Sequence, residues 1–236
     1  MDESKICFVV LFGKHELNKN IPILKIYCMK QAIKKDRPAN HISRSFLLLL
    51  TCTTLCVSAQ EKKLTYSIKR NGDIAGNIRF VQRISGSRTV LTMESEVNTR
   101  FIFTFKANAK EEAIYDNGIM TWSSIFRKLN GNVKVDKKTK ANGNAYTVYK
   151  GSKTETLNNY PVRYNMLSVY LTEPVNITKV YSDNFQQQID IQKIADHHYK
   201  IKFPDGNYNE YFYTNGVCSK IDIHHSLYSA TIELTS

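Results

Sequence analysis

Cysteine is almost missing from the greater part of this chain. Four of its five cysteines, Cys7, Cys28, Cys52 and Cys56, fall within the first 59 residues, and Cys218 stands alone after them. An intramolecular disulfide is thereby excluded from residues 60–236, and a domain of that length relies on its core instead. Proline is scarce, with 5 in 236 residues, and tryptophan occurs once. Long apolar runs are lacking too. Phe46–Val57 (FLLLLTCTTLCV) is 12 residues long, against about 20 needed to cross a bilayer. There is no Gly-x-Ser-x-Gly elbow, no His-Glu-x-x-His, no P-loop and no dinucleotide fingerprint. The sequence therefore offers no catalytic signature, and no catalytic residue is assigned.

The short apolar run has the parts of a secretory signal. Lys30, Lys34, Lys35, Arg37 and Arg44 precede it, and Val57-Ser58-Ala59-Gln60 supplies small residues at a cut point. Cleavage near Ala59 is expected, which makes 1–59 a leader and 60–236 a single β-rich domain, periplasmic or secreted. Met29 begins a sufficient leader by itself, so residues 1–28 read as an upstream start assigned too early. Thr51 and Leu55 precede Cys52 and Cys56, where a lipidation signal wants a small residue, so release is favoured over lipid anchoring. No transmembrane span is expected in the mature chain.

The formal charge of +12 shrinks on the same division. Residues 60–236 hold 24 Lys and Arg against 17 Asp and Glu. That mild basicity and the expected export argue against a nucleic-acid partner. They suit a solvated charged surface, acidic envelope glycans or anionic head groups.

Glycine, though sparse, sets the architecture. Six of the nine glycines after Gln60 follow Asn or Asp: Gly72, Gly118, Gly131, Gly143, Gly206 and Gly216. Such pairs supply the positive φ angles of tight hairpins. Between them the chain alternates. Leu64, Tyr66 and Ile68 share a face, as do Ile74, Ile78, Phe80 and Ile84. Phe101, Phe103 and Phe105 alternate with polar or smaller residues, as do Met120, Trp122 and Phe126, and then Tyr199, Ile201 and Phe203. Period two with one wet face means strands. They are predicted near 64–70, 74–85, 88–99, 101–115, 119–128, 133–140, 144–150, 188–194, 198–203, 208–214, 217–224 and 227–234. The expected fold is all-β: an antiparallel meander curled into a barrel, half-barrel or β-roll, because twist accumulates in so large a sheet.

Asn158–Asp183 breaks the rhythm. Within YNMLSVYL, Met166, Leu167, Tyr170 and Leu171 recur at helical spacing, with Pro161 ahead and Glu173-Pro174 behind. One short helix near 163–171 is predicted, covering the core or forming a lid over a cavity. Tyrosines gather on both sides of it. Tyr164, Met166, Tyr170, Asp183, Phe185, Gln186, Tyr211 and Tyr213 are the candidate ligand-binding residues, since tyrosine joins an apolar body to a polar tip. Core packing is the competing account of the same residues.

Other polar groups carry less. His197-His198 and His224-His225 place one imidazole of each pair on each strand face, so a metal site needs both strands and a carboxylate such as Asp196 or Asp222; none is assigned. Glu111 and Glu112 fall on opposite strand faces, wrong for a carboxylate pair. Asp183, Asp190 and Asp205 receive no partner from the pattern. Lys134–Lys140 (KVDKKTK) reads as a solvated hairpin, and Cys218 as a small buried hydrophobe. No cofactor is expected.

The tracts YNMLSVYLTEPVNITKVYSDNFQQ, PDGNYNEYFYTNGVC and ESEVNTRFIFTFKANAKEEAIYDNG, with a leader ending in Ser-Ala-Gln, resemble a family of uncharacterised exported proteins common in Bacteroidetes. The resemblance spans nearly all of Leu64–Leu234 and implies one all-β domain without naming an activity. The functional expectation is a non-catalytic barrel-like domain that binds an amphipathic small molecule, a lipid or a glycan, or an envelope protein. A structural module of an envelope assembly, or a hydrolase of envelope polymers, are the alternatives.

Overall fold

The computed structural model describes residues 60–100, 104–158 and 161–236, with the side chains of 99–105 left aside. The leader and signal read over residues 1–59, the alternation at Phe101, Phe103 and Phe105, and Tyr160 lie outside the described residues.

The Asn-Gly pairs do what their chemistry dictates. Asn71-Gly72, Asn117-Gly118, Asn130-Gly131 and Asn215-Gly216 all have positive φ at both positions, the signature of the hairpin turn whose twist matches the flanking strands. The strands they join are long at first: β1 (Gln60–Arg70), β2 (Asp73–Ser85), β3 (Arg88–Arg100), β4 (Thr104–Asp116), β5 (Ile119–Leu129) and β6 (Asn132–Asn142). Two shorter strands follow, β7 (Ala145–Lys150) and β8 (Lys153–Leu157). After a single helical turn, α1 (Ser168–Leu171), come β9 (Lys179–Ser182), β10 (Gln187–Ala195), β11 (His198–Lys202), β12 (Tyr208–Thr214), β13 (Val217–His225) and β14 (Tyr228–Leu234).

All fourteen strands belong to one antiparallel sheet, ordered β8-β7-β6-β5-β4-β3-β2-β1-β14-β13-β12-β11-β10-β9. Every neighbour is a chain neighbour except β1 and β14, which pair with Tyr66 opposite Leu234 and Ile68 opposite Ile232. That one seam joins an N-terminal meander, β1–β8, to a C-terminal one, β9–β14. The sheet does not close, since β8 and β9 are its two edges. It curls until β9 meets β6 through side chains. The Thr139 hydroxyl on β6 lies 3.0 Å from the Tyr181 hydroxyl on β9, and Lys137 donates to the Asn184 carbonyl beyond β9.

The two edges are consecutive in the chain, so the connection from β8 to β9 must traverse the concave side of the sheet. It does so buried. Val162, Asn165 and Val169 are fully enclosed, and Leu167, Tyr170 and Leu171 nearly so. A buried irregular segment must find partners for its peptide groups, and interior tyrosines supply many of them. The Tyr66 and Tyr213 hydroxyls donate to the carbonyls of Tyr170 and Val169, at 3.3 and 2.9 Å. Tyr146 donates to Met120 O at 2.8 Å and accepts the Val162 N–H at 3.0 Å. Tyr115 meets Ser168 Oγ at 3.1 Å. Leaving such a group unpaired would cost about 1–3 kcal/mol, so the tyrosines set the path of the crossover as well as filling the core.

Twelve of the strands match the sequence expectation to within a few residues. β8 (KTETL) was not foreseen because it is an exposed edge with no apolar alternation, and β9 (KVYS) because its four residues lie inside the segment read as helix and loop. The helix is shorter than the spacing predicted. Residues 164–167 stay irregular, since Asn165 bridges to Tyr181 in β9. Its Oδ1 also accepts the N–H groups of Leu167 and Ser168 at 3.2 Å, which starts α1 only at Ser168.

Candidate functional site

The crossover does not fill the whole concave side. A cavity of about 70 Å³ remains at one end of the curled sheet. It lies between Met93, Glu111, Ile125 and Arg127 of β3–β5 and Tyr211 and Ile223 of β12 and β13. Leu167 and Tyr170 of the crossover line it from within, and the 182–185 turn closes one side. It reaches the surface at the β11–β12 hairpin, where Asp205 is exposed. Phe185 and Phe203 stack near that opening, with ring centres 5.8 Å apart and planes at 21°.

Three ionisable side chains mark the inner wall. Alternation turns Glu111 inward among Ala107, Ala109 and Ala113, and turns Glu112 outward, as the sequence indicated. Arg127 lies one strand away and donates from Nη2 to Glu111 Oε1 at 2.7 Å. Both side chains are about nine-tenths enclosed, so this is a charge-assisted pair inside the fold.

Asp183 is the third. It follows β9 at the start of a tight turn closed by Gln186 N–H to Ser182 O at 2.6 Å, and it is 6% exposed. Its carboxylate accepts the Ser123 hydroxyl of β5 and, at 3.2 Å, Asn165 Nδ2 of the crossover. Burial, reinforced by the nearby Glu111 charge, pushes its pKa up to about 7, although the Ser123 and Asn165 hydrogen bonds pull the other way. Asp183 thus ties three parts together: the N-terminal wall, the crossover and the β9–β10 turn.

The eight candidate residues divide. Met166, Tyr170, Asp183, Phe185 and Tyr211 line the cavity. Tyr164 donates to Thr172 O and Tyr213 to Val169 O, so both hydroxyls hold the crossover. Gln186 is 5% exposed with positive φ, and its amide oxygen and nitrogen have no hydrogen-bond partner. Sequence reasoning missed Glu111, Arg127 and Phe203. Glu111 carried a legible signal, an acidic residue on the apolar face of a strand. Arg127 carried a weaker one, in phase with Ile125.

The remaining polar residues find local partners. Asp190 pairs with Lys179 at 2.6 Å, and Asp205 accepts the Asn207 N–H at 3.1 Å. His198 and His224 come to one face of the sheet, with Nε2 atoms 3.7 and 3.8 Å from Glu210 Oε2. His198 stacks on Phe212 and His224 on Tyr208. Among the described residues no cluster of three or more His, Cys, Asp or Glu is arranged to hold a metal ion. Cys218 is fully buried, and burial pushes its thiol up to about 12. No helix of the described residues is long and apolar enough to cross a membrane.

The fold and this cavity define a class: a barrel-like all-β domain whose open sheet is threaded by its own crossover. The family follows from comparison. The chain belongs to the family described as a domain of unknown function (DUF6134), whose model matches residues 66–235. Among solved structures it is similar to a beta-barrel-like protein of domain of unknown function DUF1849 from Brucella abortus. That match covers 75% of this chain and 96% of the other, at 10% identity and a TM-score of 0.49. No curated protein matches the chain.

Proposed function

We propose that this is an exported binding domain that takes an amphipathic ligand into the concave side of its sheet. The observation that carries the reading is the two-sided character of the cavity. Its inner wall offers Asp183 and the Glu111–Arg127 pair, Met93, Ile125, Tyr170, Phe185 and Phe203 supply apolar surface, and polar residues such as Asp205 and Asn207 stand at the mouth. Pockets that orient a ligand by a few polar groups against apolar walls have this character. The short apolar run before Ala59 supports export.

Binding is favoured over turnover by accessibility. Ser123, the hydroxyl bonded to Asp183, is fully buried and does not line the cavity. Glu111 is held by Arg127. A hydrolase would need a nucleophile or an activated water within reach of its substrate.

The full chain, produced with its own leader and examined by native mass spectrometry, tests this reading. A stoichiometric small-molecule adduct that solvent extraction releases is the expected result. A bare mass, together with no binding of alkyl amphiphiles of any head-group charge, would overturn it.

A further inference from the structure

Among the described residues the charges that line the cavity do not balance. Glu111 and Asp183 stand on the wall and Asp205 at the mouth, against one permanent cation among these lining residues, Arg127. Arg127 is engaged with Glu111 at 2.7 Å. The side-chain hydrogen-bond partners of Asp183, Ser123 and Asn165, are both neutral, and among the described residues no Lys or Arg forms an ion pair with it. A carboxylate enclosed by protein and held only by neutral donors favours a cationic visitor and repels an anionic one. Aromatic rings at Tyr170, Phe185, Phe203 and Tyr211 share the lining, and such faces suit both ammonium groups and alkyl chains. The enclosed volume of about 70 Å³ is the size of a head group or a few waters. The remainder of an occupant would lie toward the Phe185–Phe203 stack at the mouth.

We propose that the ligand carries a protonated amine, with Asp183 as its counter-ion and the Phe185–Phe203 stack against its apolar part. This rests on the reading of the cavity as a ligand site. The titratable groups that face Asp183 are Glu111 and Tyr115 on β4, Arg127 on β5 and Tyr181 on β9, with Lys137 of β6 bonded to the next residue, Asn184. His224 and His225 stand at the mouth.

Calorimetric titration of the full chain with octylamine, octanoate and octyl glucoside, each below its micelle concentration, separates the possibilities. At pH 8 octylamine is expected to bind about tenfold or more tightly than the other two. Its affinity should fall toward pH 5.5 as Asp183 takes up a proton, while the amine stays charged throughout. D183N should abolish the preference for the amine, and D205N should keep it. Equal binding of all three probes, or a preference lost in D205N and kept in D183N, would overturn the amine assignment while leaving the cavity reading intact. No binding of any probe would overturn the amine assignment, and with a bare mass it would overturn the cavity reading as well. If D183N does not fold, the wild-type profile decides: octylamine affinity that is flat from pH 5.5 to 8 rejects Asp183 as counter-ion.

Discussion

The two meanders that meet at the β1–β14 seam differ in the small and polar side chains they turn inward. β3, β4 and β5 are 11 to 13 residues long, and between large inward residues such as Leu91, Met93, Val97, Met120 and Ile125 they carry small or polar ones: Ser95, Ala107, Ala109, Glu111, Ala113, Ser123 and Arg127. β10–β14 are 5 to 9 residues long and present large side chains: Ile189, Ile191, Tyr199, Ile201, Tyr211, Tyr213, Ile221 and Ile232. Tyr170 of the crossover packs its ring against Tyr66 of β1 and Phe80 of β2, and the large residues of the C-terminal meander complete the filled interior. The wall that includes the small side chains also carries the buried Glu111–Arg127 pair.

Variants on each wall sharpen the contrast. The largest loss is expected from Arg127→Leu, which leaves the Glu111 carboxylate enclosed without its cation. Breaking such a pair costs about 3–5 kcal/mol, readable as a drop in the urea midpoint. The opposite sign is expected at Asp183. Its folded-state pKa of about 7 lies above the ordinary carboxylate value, so the neutral form favours the fold. Stability from this group is complete below the unfolded-state value and is lost as pH rises through about 7. Asp183→Asn should remove that decline and stabilise the protein at pH 8 by up to about 4 kcal/mol. Unfolding midpoints for both proteins across pH 4–8 check it, and parallel profiles would disprove it.

A smaller difference is expected between two tyrosines. Tyr146 on the N-terminal wall makes one bond to β5 and another to the crossover, whereas the Tyr213 hydroxyl donates to Val169 O. Tyr146→Phe should cost about 2–3 kcal/mol and Tyr213→Phe about 1 kcal/mol, compared by thermal unfolding at one pH. Smallest is Lys179→Ala, which removes an exposed pair to Asp190. It should change stability by less than about 0.5 kcal/mol, and a larger loss would show that the β9 edge matters more than its exposure implies.

Most of the sheet was legible in the sequence because its two signals are local. An Asn-Gly pair dictates a hairpin, and period-two alternation assigns a face, so β1–β7 and β10–β14 follow with little tertiary information. The cavity was legible in part. Asp183, Phe185, Met166, Tyr170 and Tyr211 were drawn by composition around the break in pattern, yet composition does not separate a tyrosine that lines a cavity from one, such as Tyr164 or Tyr213, that holds a carbonyl. Glu111 was noticed and set aside because its neighbour Glu112 points outward. Its partner Arg127 is 16 residues away in sequence, and only the β4–β5 register, Glu111 opposite Ile125, brings the two within reach.

The sequence by itself determined the fold class, the hairpin turns and the place where the meander is interrupted, since these depend on backbone preferences and side-chain periodicity within a few residues. Tertiary structure alone decided that β1 pairs with β14, that β8 and β9 are the edges, and that the crossover runs through the concave side. Each of those depends on which buried peptide groups find partners far along the chain, and Tyr66, Tyr115, Tyr146 and Tyr213 answer that only once the sheet has curled around them.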